Sequence, residues 1–367
     1  MMQKPQLRPC LALIKPYIPG KPAAEVEREL GIKNVIKLAS NENPLGPAPL
    51  ALQALQQSLG SLHLYPDGYC YDLRLAIAGR CGIKPEQIVF GNGSDELPSM
   101  IAAAYISPGD EAVSIKPTFS EYEFAMCLMG GNINYVPLVG NDFRFDLEAV
   151  RAAITDRTRL VFICSPNNPT GSAVAQKELK RFLESLPPGV LVVLDEAYHE
   201  YAPAGAALNT LQFIREGCPL ITLRTFSKIY GLAGLRIGYG IAPAPVIEDL
   251  NRVREPFNVN SAAQAAALAA LQDEQHLQRS RDLVEKGKEQ LARGLQELGL
   301  RPVPTQANFI FVDLRRDAKQ VFLELMRRGV IVRSGDIFGF PTYIRVTIGT
   351  AEQNALFLEQ LAAVLAG

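Results

Sequence analysis

Through its middle the chain alternates short apolar runs with amphipathic stretches, each pair separated by turn residues. Gln87–Phe90, Glu111–Ile115, Asn132–Val136, Leu160–Cys164, Leu191–Leu194, Leu220–Leu223 and Leu235–Ile241 have the length and β-branched or aromatic character of strands. Runs such as Leu191-Val-Val-Leu194 are apolar at every position, as strands covered on both faces are. Between them, Leu97–Tyr105 and Gln176–Leu186 repeat apolar residues at helical spacing. This alternation predicts an α/β fold, with a mostly parallel sheet covered by helices on both faces.

The pattern changes after Asn260-Ser261. An Ala-rich and then charged stretch running toward Gly299 reads as one long helix bridging two domains. Beyond it the pattern predicts a strand at Phe309–Asp313 and a helix at Ala318–Arg328, stopped by Gly329. Strands follow near Val330–Arg333 and Tyr343–Ile348, then a final helix from Thr350 with Gln353 completing a capping box. This tail reads as a smaller α+β domain. The opening forty residues are Pro-rich and punctuated, and Lys15-Pro-Tyr-Ile-Pro-Gly-Lys21 predicts an ordered arm, not a helix; a short helix is expected at Pro49–Leu59 and a turn at Tyr65-Pro-Asp-Gly68. At 367 residues the chain exceeds what one core usually serves. We divide it into an arm (1–48) that joins the small domain and a dimer contact, a large domain (49–270) and a small C-terminal domain (271–367).

Composition narrows the picture. Lys and Arg total 37 against 38 acidic residues, so no global field draws nucleic acid or an anionic membrane. The six cysteines form no CxxC pair and no metal-ligand spacing, which predicts reduced thiols and no metal site. No signal-length apolar core opens the chain and no run approaches a membrane span, so a cytoplasmic location is expected.

Four polar, turn-rich segments each follow an apolar strand: Gly91-Asn-Gly-Ser-Asp-Glu96, Ser165-Pro-Asn-Asn-Pro-Thr-Gly171, Asp195-Glu-Ala-Tyr198 and Thr225-Phe-Ser-Lys228. If those strands are parallel, all four meet in one crevice at their carboxyl ends, where open α/β sheets bind ligands. Gly91–Glu96 leads into a helix expected near Ser94, and free N–H groups there suit a phosphate. An ordinary N-capped turn is the alternative. It fails as a dinucleotide fingerprint because Glu96 stands where a third Gly belongs. Asp195 ends a fully apolar strand; its charge needs a partner there, and it can keep a heteroaromatic nitrogen protonated. A helix N-cap is the plainer reading. Lys228 precedes Ile-Tyr-Gly-Leu-Ala-Gly-Leu235, an apolar setting that lowers an amine pKa as imine chemistry requires. A solvated lysine is the commoner fate of an isolated Lys, but Arg236 with the Thr225 and Ser227 hydroxyls can form a phosphate clamp beside it.

Taken in order, these segments together with Lys15-Pro-Tyr-Ile-Pro-Gly-Lys21, Leu38-Ala-Ser-Asn-Glu-Asn-Pro44 and Arg345-Val-Thr-Ile-Gly-Thr350 resemble the fold-type I aminotransferases, and among them the histidinol-phosphate aminotransferases most closely. The resemblance runs through nearly the whole chain. It implies pyridoxal 5′-phosphate bound as an imine on Lys228, which then carries the substrate proton. It further implies Asp195 on the pyridine nitrogen, with Tyr198 and Asn168 on the phenolic oxygen. Gly93, Ser94, Asp95, Thr225, Ser227 and Arg236 are implied at the phosphate, and Phe119 stacked on the ring. Arg345, Arg333, Tyr17 and Asn43 are implied on the substrate. Tyr65 is expected to reach the cofactor phosphate of a neighbouring subunit, in a homodimer with shared sites.

The implied reaction is transfer of the amino group of histidinol phosphate to 2-oxoglutarate. An aromatic amino acid or prephenate aminotransferase, and a threonine-phosphate decarboxylase, share the same machinery and stay open. A non-catalytic pyridoxal-phosphate-binding regulator is disfavoured because no DNA-binding segment precedes the motifs, and a nicotinamide-dependent dehydrogenase rests on the Gly91/Gly93 turn alone. His199 is expected to be structural or at the surface, His63 and His276 to lack ligand partners, and Glu196 and Glu200 to be capping or solvated groups. The charges of Lys286–Arg293 are expected on a solvated helix face.

Overall fold

Every residue of Leu191–Asp195 is buried, because this strand lies at the centre of a seven-stranded sheet. The structure, a computed structural model, describes residues 5–14, 20–203 and 205–366. In chain order its strands begin with β1 (Ile36–Lys37), β2 (Ile88–Asn92), β3 (Glu111–Lys116) and β4 (Asn132–Pro137). Then come β5 (Thr158–Cys164), β6 (Leu191–Asp195), β7 (Leu220–Thr225) and β8 (Ile237–Ile241). The C-terminal part adds β9 (Phe309–Asp313), β10 (Val330–Ile331), β11 (Arg333–Ser334) and β12 (Tyr343–Thr347).

The large sheet has the order β2-β8-β7-β6-β5-β3-β4. Side chains alternate along β6 into two cores: Val192 and Leu194 join one hydrophobic cluster, Leu191 and Val193 the other. That is the two-sided burial expected of a strand between helical layers. Strand β8 is antiparallel to both β7 and β2, so β2 runs in the same direction as β7. The carboxyl ends of β2, β5, β6 and β7 therefore share one edge, as the four polar segments require.

The small domain is built on an antiparallel sheet, β11-β12-β9, with helices Ala318–Arg327 and Ala351–Ala366. The expected capping box is present: Thr350 N donates to Gln353 Oε1 at 3.0 Å and Gln353 N to Thr350 Oγ1 at 3.3 Å. Strand β1, from the arm, pairs in parallel with β10 and so builds the start of the chain into this domain.

Most of Lys15–Lys21, expected as an ordered arm, lies outside the described residues; a helix, Ala23–Leu30, follows Pro22 and ends at the left-handed Gly31. Two expectations are corrected. The single long helix after Asn260 is two, Ser261–Ala270 and Glu274–Glu297. Asp273 breaks it by accepting from His276 N at 3.1 Å, an N-cap that competes with helix continuation. Finally, the helix after Gly91–Glu96 starts at Glu96 rather than Ser94, which leaves Ser94 and Asp95 in the turn. No described helix is long and apolar enough to cross a membrane.

Candidate active site

A cavity of about 240 Å³ opens at the shared strand edge, between the large sheet and the β11-β12-β9 sheet. Four regions of chain close around it. At one end Ser94 and Asp95 precede the helix Glu96–Tyr105 and face Thr225, Ser227 and Arg236. The Arg236 backbone is left-handed, at φ 58°, and its guanidinium donates to Ala233 O at 3.1 Å and Asp95 Oδ2 at 3.0 Å. Gly93 does not line the cavity but lies against this guanidinium; at φ 80° a β-carbon there would collide with it. A β-carbon on Gly238 would likewise strike the Ser94 backbone nitrogen. The two glycines leave the room in which arginine, hydroxyls and turn come together.

At the other end Asp195 is buried. Tyr122 donates to its Oδ2 at 2.7 Å and Ala197 N to its Oδ1 at 3.0 Å. Burial raises its pKa, those two hydrogen bonds oppose the rise, and the carboxyl sits at about 6. Phe119, half-buried, lies on the cavity wall and packs edge-on against Tyr122 at 5.8 Å.

Lys228 projects between these ends. Its Nζ donates to Ser40 O at 3.3 Å and lies 5.7 Å from the centre of the Tyr198 ring. Desolvation first, and the nearby charge of Arg345 second, push its amine down to about 8. The Tyr198 hydroxyl accepts from Asn41 Nδ2 at 2.9 Å, and burial raises its pKa. Asn168 Oδ1 accepts from Arg345, whose other terminal nitrogen donates to Ala39 O at 2.6 Å.

The small domain closes the last side. Arg333 on β11 and Arg345 on β12 are register partners, so two guanidinium groups share one face of the sheet and both line the cavity. Like charges placed directly opposite one another cost stability, and an anion between them offsets that cost.

The structure thus gathers Ser94, Asp95, Phe119, Asn168, Asp195, Tyr198, Thr225, Ser227, Lys228, Arg236, Arg333 and Arg345 around one cavity. It does not bring Asn43 there. Asn43 is buried behind the wall, where its Nδ2 donates to Ile229 O at 2.8 Å and Ser280 Oγ at 2.9 Å; its neighbours Asn41 and Glu42 line the cavity instead. Tyr17 lies outside the described residues. Tyr65 is 85% exposed, away from this chain's own cavity, and stacks on Phe257 at 5.0 Å. Around it Leu62, Leu64, Tyr69 and Tyr71 are exposed as well.

Glu196 is neither a cap nor solvated. It is fully buried, accepting from Arg224 Nε at 3.0 Å and Thr222 Oγ1 at 2.7 Å. Burial alone would raise its pKa, but Arg224 and then His199 outweigh that and hold it at about 2. His199 is structural, with Nδ1 3.5 Å from Glu196 Oε1. Among the described residues no cluster of His, Cys, Asp and Glu has the arrangement of a metal site. Sequence reasoning missed Tyr122 and Asn41. Neither carried a motif that marked it: Tyr122 stands at the start of the helix Glu121–Met129 beside Phe119, and only the fold brings its hydroxyl to Asp195.

The aminotransferase class I and II family model matches residues 33–361. The histidinol-phosphate aminotransferase of Moorella thermoacetica is 58% identical over 363 residues, 99% of this chain and 94% of that protein. That of Caldicellulosiruptor saccharolyticus is 48% identical over 358 residues, 98% of this chain and 99% of the other. Among solved structures, histidinol-phosphate aminotransferase from Sinorhizobium meliloti in complex with pyridoxal-5′-phosphate matches with a TM-score of 0.90 at 30% identity, over 98% of each chain. With its lysine, carboxylate and anion cradle on one strand edge, and these matches across almost its full length, this chain belongs to the class I and II aminotransferases.

Proposed function

We propose that this chain moves the amino group of histidinol phosphate onto 2-oxoglutarate, giving imidazole acetol-phosphate and glutamate, with pyridoxal 5′-phosphate as cofactor. The observation that carries the substrate reading is the Arg333–Arg345 pair. Two guanidinium groups on one face suit a phosphate dianion, and equally the carboxylates of 2-oxoglutarate in the second half of the cycle.

The residues present fit the cofactor. Ser94, Asp95, Thr225, Ser227 and Arg236 form an anion cradle at a helix start, which a β-carbon on Gly93 or Gly238 would fill. Asp195, buried at the far end, would hold a ring nitrogen protonated, and a bound cation there keeps its carboxyl ionised. When bound, the cofactor supplies an electron-withdrawing ring that makes the C–H beside the substrate nitrogen acidic. Lys228 Nζ is the amine that would hold the aldehyde; once displaced, it is placed to take the substrate α-proton and to return it two bonds away, on the carbon beyond the substrate nitrogen. Its lowered pKa lets it act as a base near neutral pH. Tyr198 and Asn168 would bond the phenolic oxygen, and Phe119 would cover one ring face. Arg345 draws Asn168 and the Ala39 carbonyl together, so substrate binding and cofactor orientation share a side chain.

On this reading the enzyme is a cytoplasmic homodimer. The apolar rim of Leu62, Leu64, Tyr69, Tyr71 and Phe257 packs on a second copy, and Tyr65 reaches the partner's phosphate cradle. The division into arm (1–48), cofactor domain (49–270) and small domain (271–367) follows the same logic, with substrate bound between the last two.

The test is a donor panel with 2-oxoglutarate: histidinol phosphate beside Phe, Tyr and prephenate, for wild type and Arg333→Ala. Histidinol phosphate is expected to turn over fastest and to lose most, about tenfold to a hundredfold in kcat/KM, because a charged hydrogen-bonded pair is removed. Equal losses for every donor would remove Arg333 as a phosphate reader. A preference for Phe or Tyr would favour the aromatic enzyme, and carbon dioxide release without a keto acid would favour the decarboxylase.

A further inference from the structure

Asn41 occupies a conformation that its surroundings over-determine. Its backbone is left-handed, at φ 57°, and the residue is buried. Asparagine tolerates that region better than most residues but still needs support. Its N–H donates to Thr347 Oγ1 at 2.9 Å, and its carbonyl accepts from Asn308 Nδ2 at 3.0 Å. Both tethers come from the small domain, Thr347 at the end of β12 and Asn308 just before β9. The side chain is fixed too. Thr347 Oγ1 lies 3.1 Å from Asn41 Oδ1. That hydroxyl accepts from the Asn41 N–H and donates its own proton to the amide oxygen. The amide nitrogen is then the end that faces Tyr198, and it donates to the phenol oxygen at 2.9 Å.

A phenol has one proton, and that proton cannot lie along a bond the oxygen is already accepting. The Tyr198 O–H is therefore turned away from Asn41, toward the cavity that Tyr198 lines. We propose that Asn41 sets the direction of the Tyr198 hydrogen bond, so that the phenol donates into the cofactor site. Asn41 touches neither reacting atom in this account; it is a positioning residue, and it ties the small domain to the electronic state of the site. The inference rests on the cavity being the pyridoxal-phosphate site proposed above. An O–H donated to the cofactor's phenolic oxygen favours the form in which that oxygen carries full negative charge. It thereby lowers the pH at which the Lys228–cofactor adduct loses its proton.

Asn41→Asp tests this. The near-isosteric carboxylate keeps the backbone tethers and the bond from Thr347, but accepts from Tyr198 where the amide donated. The readout is the absorbance titration of the holoenzyme adduct, run in wild-type and Tyr198→Phe backgrounds. In the wild-type background the transition is expected to move up by at least about one pH unit, roughly tenfold in proton affinity. In the Tyr198→Phe background most of that shift is expected to vanish. An unmoved transition would overturn the inference, and so would equal shifts in both backgrounds, which would mean that the new charge acts directly. Thr347→Val, which releases the amide, is the second variant should Asn41→Asp fold poorly. It is expected to give a smaller upward shift, and none at all counts against the proposal. Borohydride fixation of the wild-type chromophore onto Lys228 separates the two levels. Its failure removes the cofactor reading, and this inference with it; its success with an unmoved titration removes the inference alone.

Discussion

The Lys228 amine loses its proton near pH 8 instead of near 10.5 because the cavity walls desolvate it and Arg345 lies close by. At pH 7 roughly a tenth of it is neutral, against well under a thousandth for an exposed lysine. Capture of pyridoxal phosphate by the apoenzyme needs the neutral amine. Its rate is therefore expected to climb with pH and level off above about 8, as followed by absorbance in rapid mixing. Lys228→Ala should abolish both the pH-dependent phase and transamination, while noncovalent binding of the cofactor survives through the anion cradle. Turnover near the wild-type rate would defeat the assignment. At this scale Lys228 and Asp195 were legible because a charged residue at the end of an apolar run demands a reason. Asn41 was not. The sequence offers two asparagines in Ser40-Asn-Glu-Asn43, and the left-handed turn at Asn41 decides which one faces the cavity. No pattern of apolar positions encodes that turn.

At the scale of elements, the site depends on how closely turns approach one another. Gly93→Ala would place a β-carbon against the Arg236 guanidinium at a φ of 80°. Its expected effect is a loss of cofactor affinity of about tenfold or more, since a charged phosphate contact worth about 1.5–3 kcal/mol is displaced. Equilibrium dialysis of the variant holoenzyme measures this, and unchanged affinity would show that Arg236 does not hold the phosphate. The four polar segments could be read from the sequence because each follows an apolar run. What sits behind them could not. Glu196 looks like a loop residue until β7 brings Arg224 beside it, a pairing between residues far apart in the chain. Glu196→Gln removes the carboxylate that pairs with the buried Arg224 and is expected to cost about 3–5 kcal/mol. The folded-state pKa of Glu196, about 2, lies below its ordinary 4.5. Its contribution is therefore complete above pH 4.5 and lost as pH falls toward 2. Acid unfolding followed by circular dichroism should lose part of its steepness in that window in the variant. An unaltered acid transition would mean the pair is not what holds that layer.

For the molecule as a whole, the proposed homodimer rests on the exposed aromatic rim around Tyr65. Sedimentation is expected to give twice the chain mass of 40.1 kDa, and Leu64→Asp to shift the species toward monomer with loss of activity. A fully active monomer would mean that each cavity is complete without Tyr65 of a second copy. The sheet covered by helices on both faces was legible from the alternation of runs, whereas the break at Asp273 was not, because the capping carboxylate looks like any other acidic helix residue. The pairing of β1 with β10 carries a consequence for synthesis. Ile36 and Lys37 are synthesised nearly three hundred residues before their partners, Val330 and Ile331. Ser40 and Asn41, which contact Lys228 and Tyr198, stay without their small-domain supports until then. A nascent chain halted before β10 can close the large sheet around Lys228, but it cannot finish the wall opposite that lysine. The phosphate cradle and Lys228 should therefore form before the wall that Ser40 and Asn41 supply, which is completed only after β10–β12 have been made.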